Sequence, residues 1–172
     1  MDVLNLGSGR GGAIPGALTV DRCAQTKPDV VHDLDRIPWP FPDASFDAIH
    51  CLDVLEHLAD LPKAMEEIHR IGRPGARVHI TTPHFSCANA YTDPTHRHRL
   101  GYFSFDAFTA ENPLAYYSKA RFAVIRRFLV FHPGLKNSLV WRLANRWPAF
   151  YERHLTWILP AWFLSLELEV RK

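Results

Sequence analysis

Residues 3–9, Val3-Leu4-Asn5-Leu6-Gly7-Ser8-Gly9, decide the fold. A short, mostly apolar run that stops at glycine and serine reads as a buried strand with a sharp turn at its carboxyl end. Gly7, Gly9, Gly11 and Gly12 then let backbone approach a ligand closely. Three further runs behave alike: Ala17 to Val20 stops at Asp21, Asp29 to Val31 at His32-Asp33, and Phe46 to Cys51 near Asp53. Ligands of an open parallel sheet bind beyond the carboxyl ends of its strands, so these stops are expected to gather Asp21, Asp33 and Asp53 on one rim.

From Val54 the apolar spacing becomes helical, through Leu55, Leu58, Leu61, Met65, Ile68 and Ile71, and Gly72 with Pro74-Gly75 closes the segment. Ala76 to Thr82 alternates as a fifth strand. Residues 84–113 lack periodicity and read as a long loop or lid, with a short helix near Ser104 to Phe108. Phe128 to Phe131 is strand-like, Ser138 to Trp147 helical, and Leu164 to Val170 alternates as a final strand. The alternation predicts an α/β domain, a Rossmann-like three-layer sandwich on a mostly parallel sheet. Ten residues join the first strand to the second and eight join the second to the third. Parallel neighbours normally need a dozen or more, so the first crossover helices must be reduced.

The chain of 172 residues is 47% hydrophobic and 22% charged, the make-up of one globular domain over 1–172 with 84–113 as an acceptor-side insert. A net charge of +2 gives no case for nucleic acid as a partner. It hides a split: residues 1–86 carry 8 basic and 12 acidic side chains, a balance of −4, and residues 87–172 carry 12 and 6, a balance of +6. Cys23, Cys51 and Cys87 are too few and scattered for a disulfide framework or a CxxC zinc site, which suits a reducing cytoplasm. No signal peptide opens the sequence, and the apolar run from Leu155 to Leu166, broken by Pro160, is shorter than the roughly 18 residues of a spanning helix.

The glycine turn supplies neither GxGxxG followed by a helix nor GxxxxGK[ST], which weakens dinucleotide and ATP readings. Taken in order, LNLGSG, the VDR of 20–22, the HDLD of 32–35, PFPDASFDAIHCLDVLEHL at 40–58 and GARVHITTP at 75–83 resemble the motifs of class I S-adenosylmethionine (SAM) dependent methyltransferases. The match is to the small "methyltransferase domain type 11" group, and LELEVRK is similar to that fold's antiparallel last strand. The resemblance implies SAM as cofactor. Asn5, Leu6, Gly7, Ser8 and Gly9 would form the turn beside the methionine moiety. Asp21, followed by Arg22, would accept the two ribose hydroxyls, two carboxylate oxygens suiting two adjacent donors. Asp33 would accept the adenine amine and Leu34 pack on its face, while Leu52, Asp53 and His57 would close the pocket. With little helix after the glycine turn to hold the cofactor's carboxylate, Arg10 is expected to pair with it.

The segment His84 to Arg99 follows the fifth strand on the same rim. Methyl transfer needs an aligned acceptor atom, exclusion of water and sometimes a base, and histidine titrates in the useful range. His84, His96 and His98 are candidate bases, Tyr91 and Asp93 orienters, and Arg97 and Arg99 anchors for an anionic substrate. Phe85, Tyr102, Phe103, Phe105 and Phe108 are candidates to cover the pocket. The predicted reaction is methyl transfer to oxygen of a small molecule or glycan. Two alternatives stand: a catalytically silent SAM-binding partner subunit, and a metal-assisted enzyme using His84, Asp93, His96 and His98, although no metal ligand is assigned. Trp141, Trp147, Trp157 and Trp162, with Arg142, Arg146 and Arg153 among them, suggest peripheral contact with a membrane surface, a lipid-linked or anionic acceptor, or a sugar face.

Overall fold

The computed structural model describes residues 2–10, 14–110, 112–136 and 138–172; Gly11 and Gly12, expected in the glycine turn, lie outside them. Among the described residues seven strands form one sheet: β1 Val3–Leu6, β2 Leu18–Asp21, β3 Val30–Val31, β4 Phe46–Leu52, β5 Gly72–Pro83, β6 Phe122–Val130 and β7 Phe163–Val170. Their order is β3-β2-β1-β4-β5-β7-β6. Pairings among β1 to β5 are parallel, and β7 runs antiparallel to both β5 and β6. The sequence thus reverses direction outward from β1, first to β2 and later to β4. This topological switch opens a crevice above the carboxyl end of β1.

Alternation along each strand sorts the sheet into two faces. Leu4, Ile49, Val78 and Leu168 lie in one register row and Leu6, Cys51, Ile80 and Leu166 in the next. These are buried with the apolar face of helix α1, Leu61–Ile71, through Leu61, Ala64, Met65, Ile68 and Ile71. Each Leu, Ile, Val or Met among them stabilises the fold by roughly 1.5–3 kcal/mol. The other face carries Asn5, His50, His79 and Glu167 in register. Among the described residues the first two crossovers hold no α-helix, only a single 3-10 turn at Ala24–Thr26. The short connections therefore act as expected.

The helical spacing from Val54 resolves into two pieces. A 3-10 turn spans Leu55–His57, and α1 begins only at Leu61. Asp60 caps α1 by accepting the Lys63 amide at 3.0 Å, and Pro62, with no N–H to give, cannot extend the helix backward. β5 starts at Gly72, earlier than the expected Ala76, because Gly75 at φ 81° lets the chain bulge and rejoin β4 at Ala48–Arg77. The Arg70 guanidinium fastens α1 to the loop before β4. It donates to Glu67, to Asp43 and to the Phe41 and Trp39 carbonyls.

The insert contains a short helix α2, Asn89–Thr92, and a 3-10 turn at Asp106–Phe108 near the expected helix. Phe105 and Phe108 are buried in the main core, so these two serve packing and not pocket cover. Helices α3, Leu139–Arg146, and α4, Pro148–His154, follow β6. The helix expected from Ser138 begins at Leu139, with Ser138 as its cap accepting the Trp141 amide at 3.2 Å, while α4 begins at the unanticipated Pro148. Asn145 of α3 accepts the Leu129 N–H at 2.7 Å and donates to its carbonyl at 3.1 Å, which satisfies part of the outer edge of β6.

Candidate functional site

Gly7, at the turn after β1, has φ 63°, and a Cβ added there would lie 2.4 Å from a Val54 methyl. Only glycine accommodates both the left-handed backbone and that approach. Its neighbour Gly9, at φ 55°, donates its N–H to Asp21 Oδ2 at 2.9 Å, and the Cys23 amide donates to Asp21 Oδ1 at 2.8 Å. Asp21 therefore ties the glycine turn to the end of β2. Each of its oxygens keeps a further lone pair for an incoming hydroxyl.

A cavity of about 210 Å³ lies at this end of the strands, lined by Gly7, Asp21, Arg22, Asp33, Leu34, Asp53 and His57 among the expected residues. The three aspartates at the strand stops do share one rim. His32, Val54, Leu58, Asp35 and Thr95 complete the lining and were not anticipated. His32 and Asp35 flank Asp33-Leu34 within the same HDLD motif, so their neighbourhood was readable there. Asp35 accepts the Ala59 amide at 2.7 Å, which joins the adenine-side loop to the turn after β4. Asp53 stands at φ 53°, a conformation that Asp tolerates better than most residues, and accepts the Thr81 hydroxyl at 2.9 Å. A larger cleft of about 660 Å³ borders the start of β6 and Arg171 after β7, at the opposite end of the sheet.

Several expected residues sit behind this lining. The Leu6 side chain is wholly in the core, and Asn5 is buried too. Arg10 is exposed beyond Gly9 and does not line the cavity, whereas Arg22 does. Neither Leu52 nor Ser8 lines it.

The insert docks through backbone onto the turn after β4. Amides of Arg97 and His98 donate to the Glu56 carbonyl at 2.8 and 3.1 Å, and His98 Nε2 bonds the Leu58 carbonyl at 2.8 Å. That bond occupies His98 as a strut. His84 is likewise spoken for: 0% exposed, it meets Ser86 Oγ at 2.7 Å and Glu152 Oε1 at 3.0 Å, away from the cavity. The expectation of His84 and His98 as bases is thereby corrected, since their ring nitrogens hold neighbours together. Tyr91 is exposed, with the Arg99 guanidinium 5.3 Å from its ring, and does not border the cavity.

His96 does not line the cavity but is the insert histidine packed against a side chain that does. Its ring packs edge-on to His57, centroids 4.6 Å apart. The hydrogen bonds around His57 fix its tautomer. Thr95 donates its one hydroxyl proton to Asp93 Oδ1 at 2.6 Å, so its oxygen must accept from His57 Nδ1 at 2.9 Å. Nε2 of His57 is left as the basic nitrogen. Bonds from the Thr95 hydroxyl and amide hold Asp93 below the usual carboxylate range against its slight burial, and burial followed by the nearby His96 pushes His57 down, favouring neutral imidazole.

Beside these rings lies a group that sequence reasoning passed over. Glu56 is 1% exposed, and neither of its carboxylate oxygens has a hydrogen-bond partner. Thr82, whose own hydroxyl is also unpaired, lies near enough to ease the charge but makes no hydrogen bond to it. Burial, with the Asp53 and Asp93 charges adding, pushes Glu56 up to about 7. In sequence it stood as an acidic residue at a helix start, with no signal that its side chain turns inward.

Residues 4–80 match the model of a methyltransferase domain family. This stretch, a little under half of the chain, is similar to that methyltransferase domain. The residues that line the cavity are of the types the resemblance to SAM-dependent enzymes implied, with Asp21 and Asp33 after β2 and β3, the apolar Leu34 beside Asp33, and Gly7 where a Cβ would meet Val54. A SAM-dependent methyltransferase from Mesorhizobium loti is 15% identical with a TM-score of 0.62, covering 98% of this chain and 90% of that one. A putative methyltransferase from Haloferax volcanii, solved in complex with the activator Trm112, is 18% identical with a TM-score of 0.63, covering 99% and 83%. At these identities the likeness establishes the fold. A probable chloroplastic tocopherol O-methyltransferase from Oryza sativa subsp. japonica is 38% identical over 48 residues, a stretch that spans 28% of this chain and 13% of that protein.

Proposed function

We propose that this methyltransferase transfers the methyl group of SAM to an oxygen of a small-molecule or glycan acceptor. The carrying observation is the His57–Thr95–Asp93 chain at the cavity wall, which leaves His57 Nε2 free to accept a proton. In the reaction an acceptor lone pair forms the O–CH3 bond as the C–S bond breaks, its electron pair staying on sulfur. Asp21 and Asp33 hold the cofactor's polar groups, and Val54 and Leu58 exclude water. His57 takes the acceptor's proton. The short match to a protein named as a probable O-methyltransferase agrees with oxygen as the acceptor atom.

The test is incubation with methyl-labelled SAM and a fractionated metabolite extract. Sustained transfer of label, abolished by His57→Ala, is the expected result. Binding of S-adenosylhomocysteine without label in any fraction would instead establish the silent, SAM-binding partner subunit; a separate activator subunit, as in the Haloferax complex, would be added before that conclusion.

A membrane-adjacent or lipid-linked acceptor is favoured by the surface of α3, α4 and the segment after them. Trp157 and Ile158 are 69% and 74% exposed, beside an apolar groove lined by Leu143, Trp147, Phe150 and Leu159. Lys136, Arg142, Arg146 and Arg153 supply the charge of residues 136–162. The one acid of that stretch, Glu152, is turned inward to His84 and the Tyr102 amide. Exposed tryptophan in a stretch whose charge is mostly basic fits an anionic lipid surface. No helix among the described residues is long and apolar enough to cross a membrane. Co-sedimentation with phosphatidylglycerol vesicles, reduced at least fivefold by Trp157→Ser with Ile158→Ser, is expected; equal sedimentation of the variant would contradict this reading.

A further inference from the structure

The cluster beside the cofactor cavity has the make-up of a metal site. One ligand atom each from Glu56, His57 and His96 lies within 4.8 Å of the other two. Bonds of about 2.1 Å at tetrahedral angles would set such atoms about 3.4 Å apart, so closure needs only small side-chain rotations. Glu56 is the independent observation that a ligand belongs there. A carboxylate this buried is costly without a cation or a donor, and it has no hydrogen-bond partner. His96 Nδ1 is also buried and unpaired, and its Nε2 stands 4.0 Å from Glu56 Oε1. His57 shows the orientation common for a ligating imidazole, with Nδ1–H held by the Thr95–Asp93 pair and Nε2 left to bind.

We propose that Glu56, His57 and His96 bind a divalent first-row transition ion, with Zn2+ as the probe. Two imidazoles and one carboxylate suit zinc, manganese or iron better than magnesium, which takes oxygen ligands. Three protein ligands leave positions open for the acceptor oxygen. This inference rests on methyl transfer to oxygen but replaces the base of that reading: with the ion bound, His57 Nε2 is a ligand and the acceptor oxygen is activated by coordination. Its O–H proton leaves to water and not to His57, while the O–CH3 bond forms and the C–S bond breaks as before. The ligand set differs from the His84, Asp93, His96 and His98 constellation of the sequence, since His84 and His98 are engaged in other bonds.

Calorimetric titration of Zn2+ into chelator-treated, dialysed full-length protein tests it. One ion per chain is expected, with affinity falling at least tenfold in Glu56→Gln and separately in His96→Asn, and unchanged in His50→Ala on the polar sheet face. Circular dichroism confirms that each variant is folded; if Glu56→Gln is not, His96→Asn decides. No saturable binding by the wild type, or wild-type affinity in a folded Glu56→Gln or His96→Asn variant, overturns the site. S-adenosylhomocysteine titrated without metal keeps the two questions apart. If it binds and Zn2+ does not, this inference fails alone; if Zn2+ binds and no acceptor receives label, the methyl-transfer reading fails and the site stands.

Discussion

Replacing Gly7 with Ala tests whether the turn after β1 and the turn after β4 are pressed together as the cavity requires. Two costs add. A left-handed backbone at φ 63° costs an L-residue roughly 1–2 kcal/mol. The new Cβ would also stand 2.4 Å from Val54 Cγ2 and 2.8 Å from Val54 Cβ, an overpacking of roughly 1–3 kcal/mol. Gly7→Ala should therefore lower stability by about 2–5 kcal/mol in urea denaturation followed by tryptophan fluorescence. Val54→Ala alone removes two methyl groups and should cost about 1.5 kcal/mol. Because it also removes the closest clash, Gly7→Ala should cost at least about 1 kcal/mol less in the Val54→Ala background, a coupling that distant sites do not show. A Gly7→Ala protein within about 0.5 kcal/mol of wild type, or an equal cost in both backgrounds, would refute the packing argument.

The other predictions concern charge. Glu56 holds a proton in the folded, metal-free protein up to about pH 7, against an ordinary value of 4.5, so stability is lost as pH rises between those values. Glu56→Gln should match wild type near pH 5 and exceed it at pH 8 by up to about 3 kcal/mol in chelator-treated samples; the same difference at both pH values would sink the idea. Burial raises Glu67, but bonds from Arg70 and the Trp39 amide outweigh it and hold the carboxyl low. Arg70→Met should strand that carboxylate and destabilise by about 3 kcal/mol, measured as a loss in urea midpoint; a change below about 0.5 kcal/mol would show that water replaces the guanidinium.

Strand stops carried most of what could be read from the sequence alone. Asp21, Asp33 and Asp53 each follow an apolar run, and a parallel sheet sends all such ends to one rim, which is where the cavity lies. The short crossovers were legible from chain length for the same reason. What escaped depends on contacts between distant segments. Nothing local marks His84 as a buried partner of Glu152, 68 residues away, or His98 as a bond to the Leu58 carbonyl. Glu56 and His57 are adjacent in sequence. One turns its side chain into the protein and the other to the cavity wall, a choice made by the 3-10 turn and the insert docked on it. Phe105 and Phe108 show the converse error, aromatic residues in a loop-like stretch that the core absorbs.

Isothermal titration of S-adenosylhomocysteine into wild type and Asp21→Asn asks whether the rim of strand ends is a cofactor site. The substitution keeps the shape that bridges Gly9 and Cys23 but loses one acceptor oxygen and the charge. One saturable site is expected in the wild type and at least a tenfold weaker one in Asp21→Asn, a loss of about 1.4 kcal/mol or more. No binding by the folded wild type, or equal affinity in both proteins, would contradict that expectation.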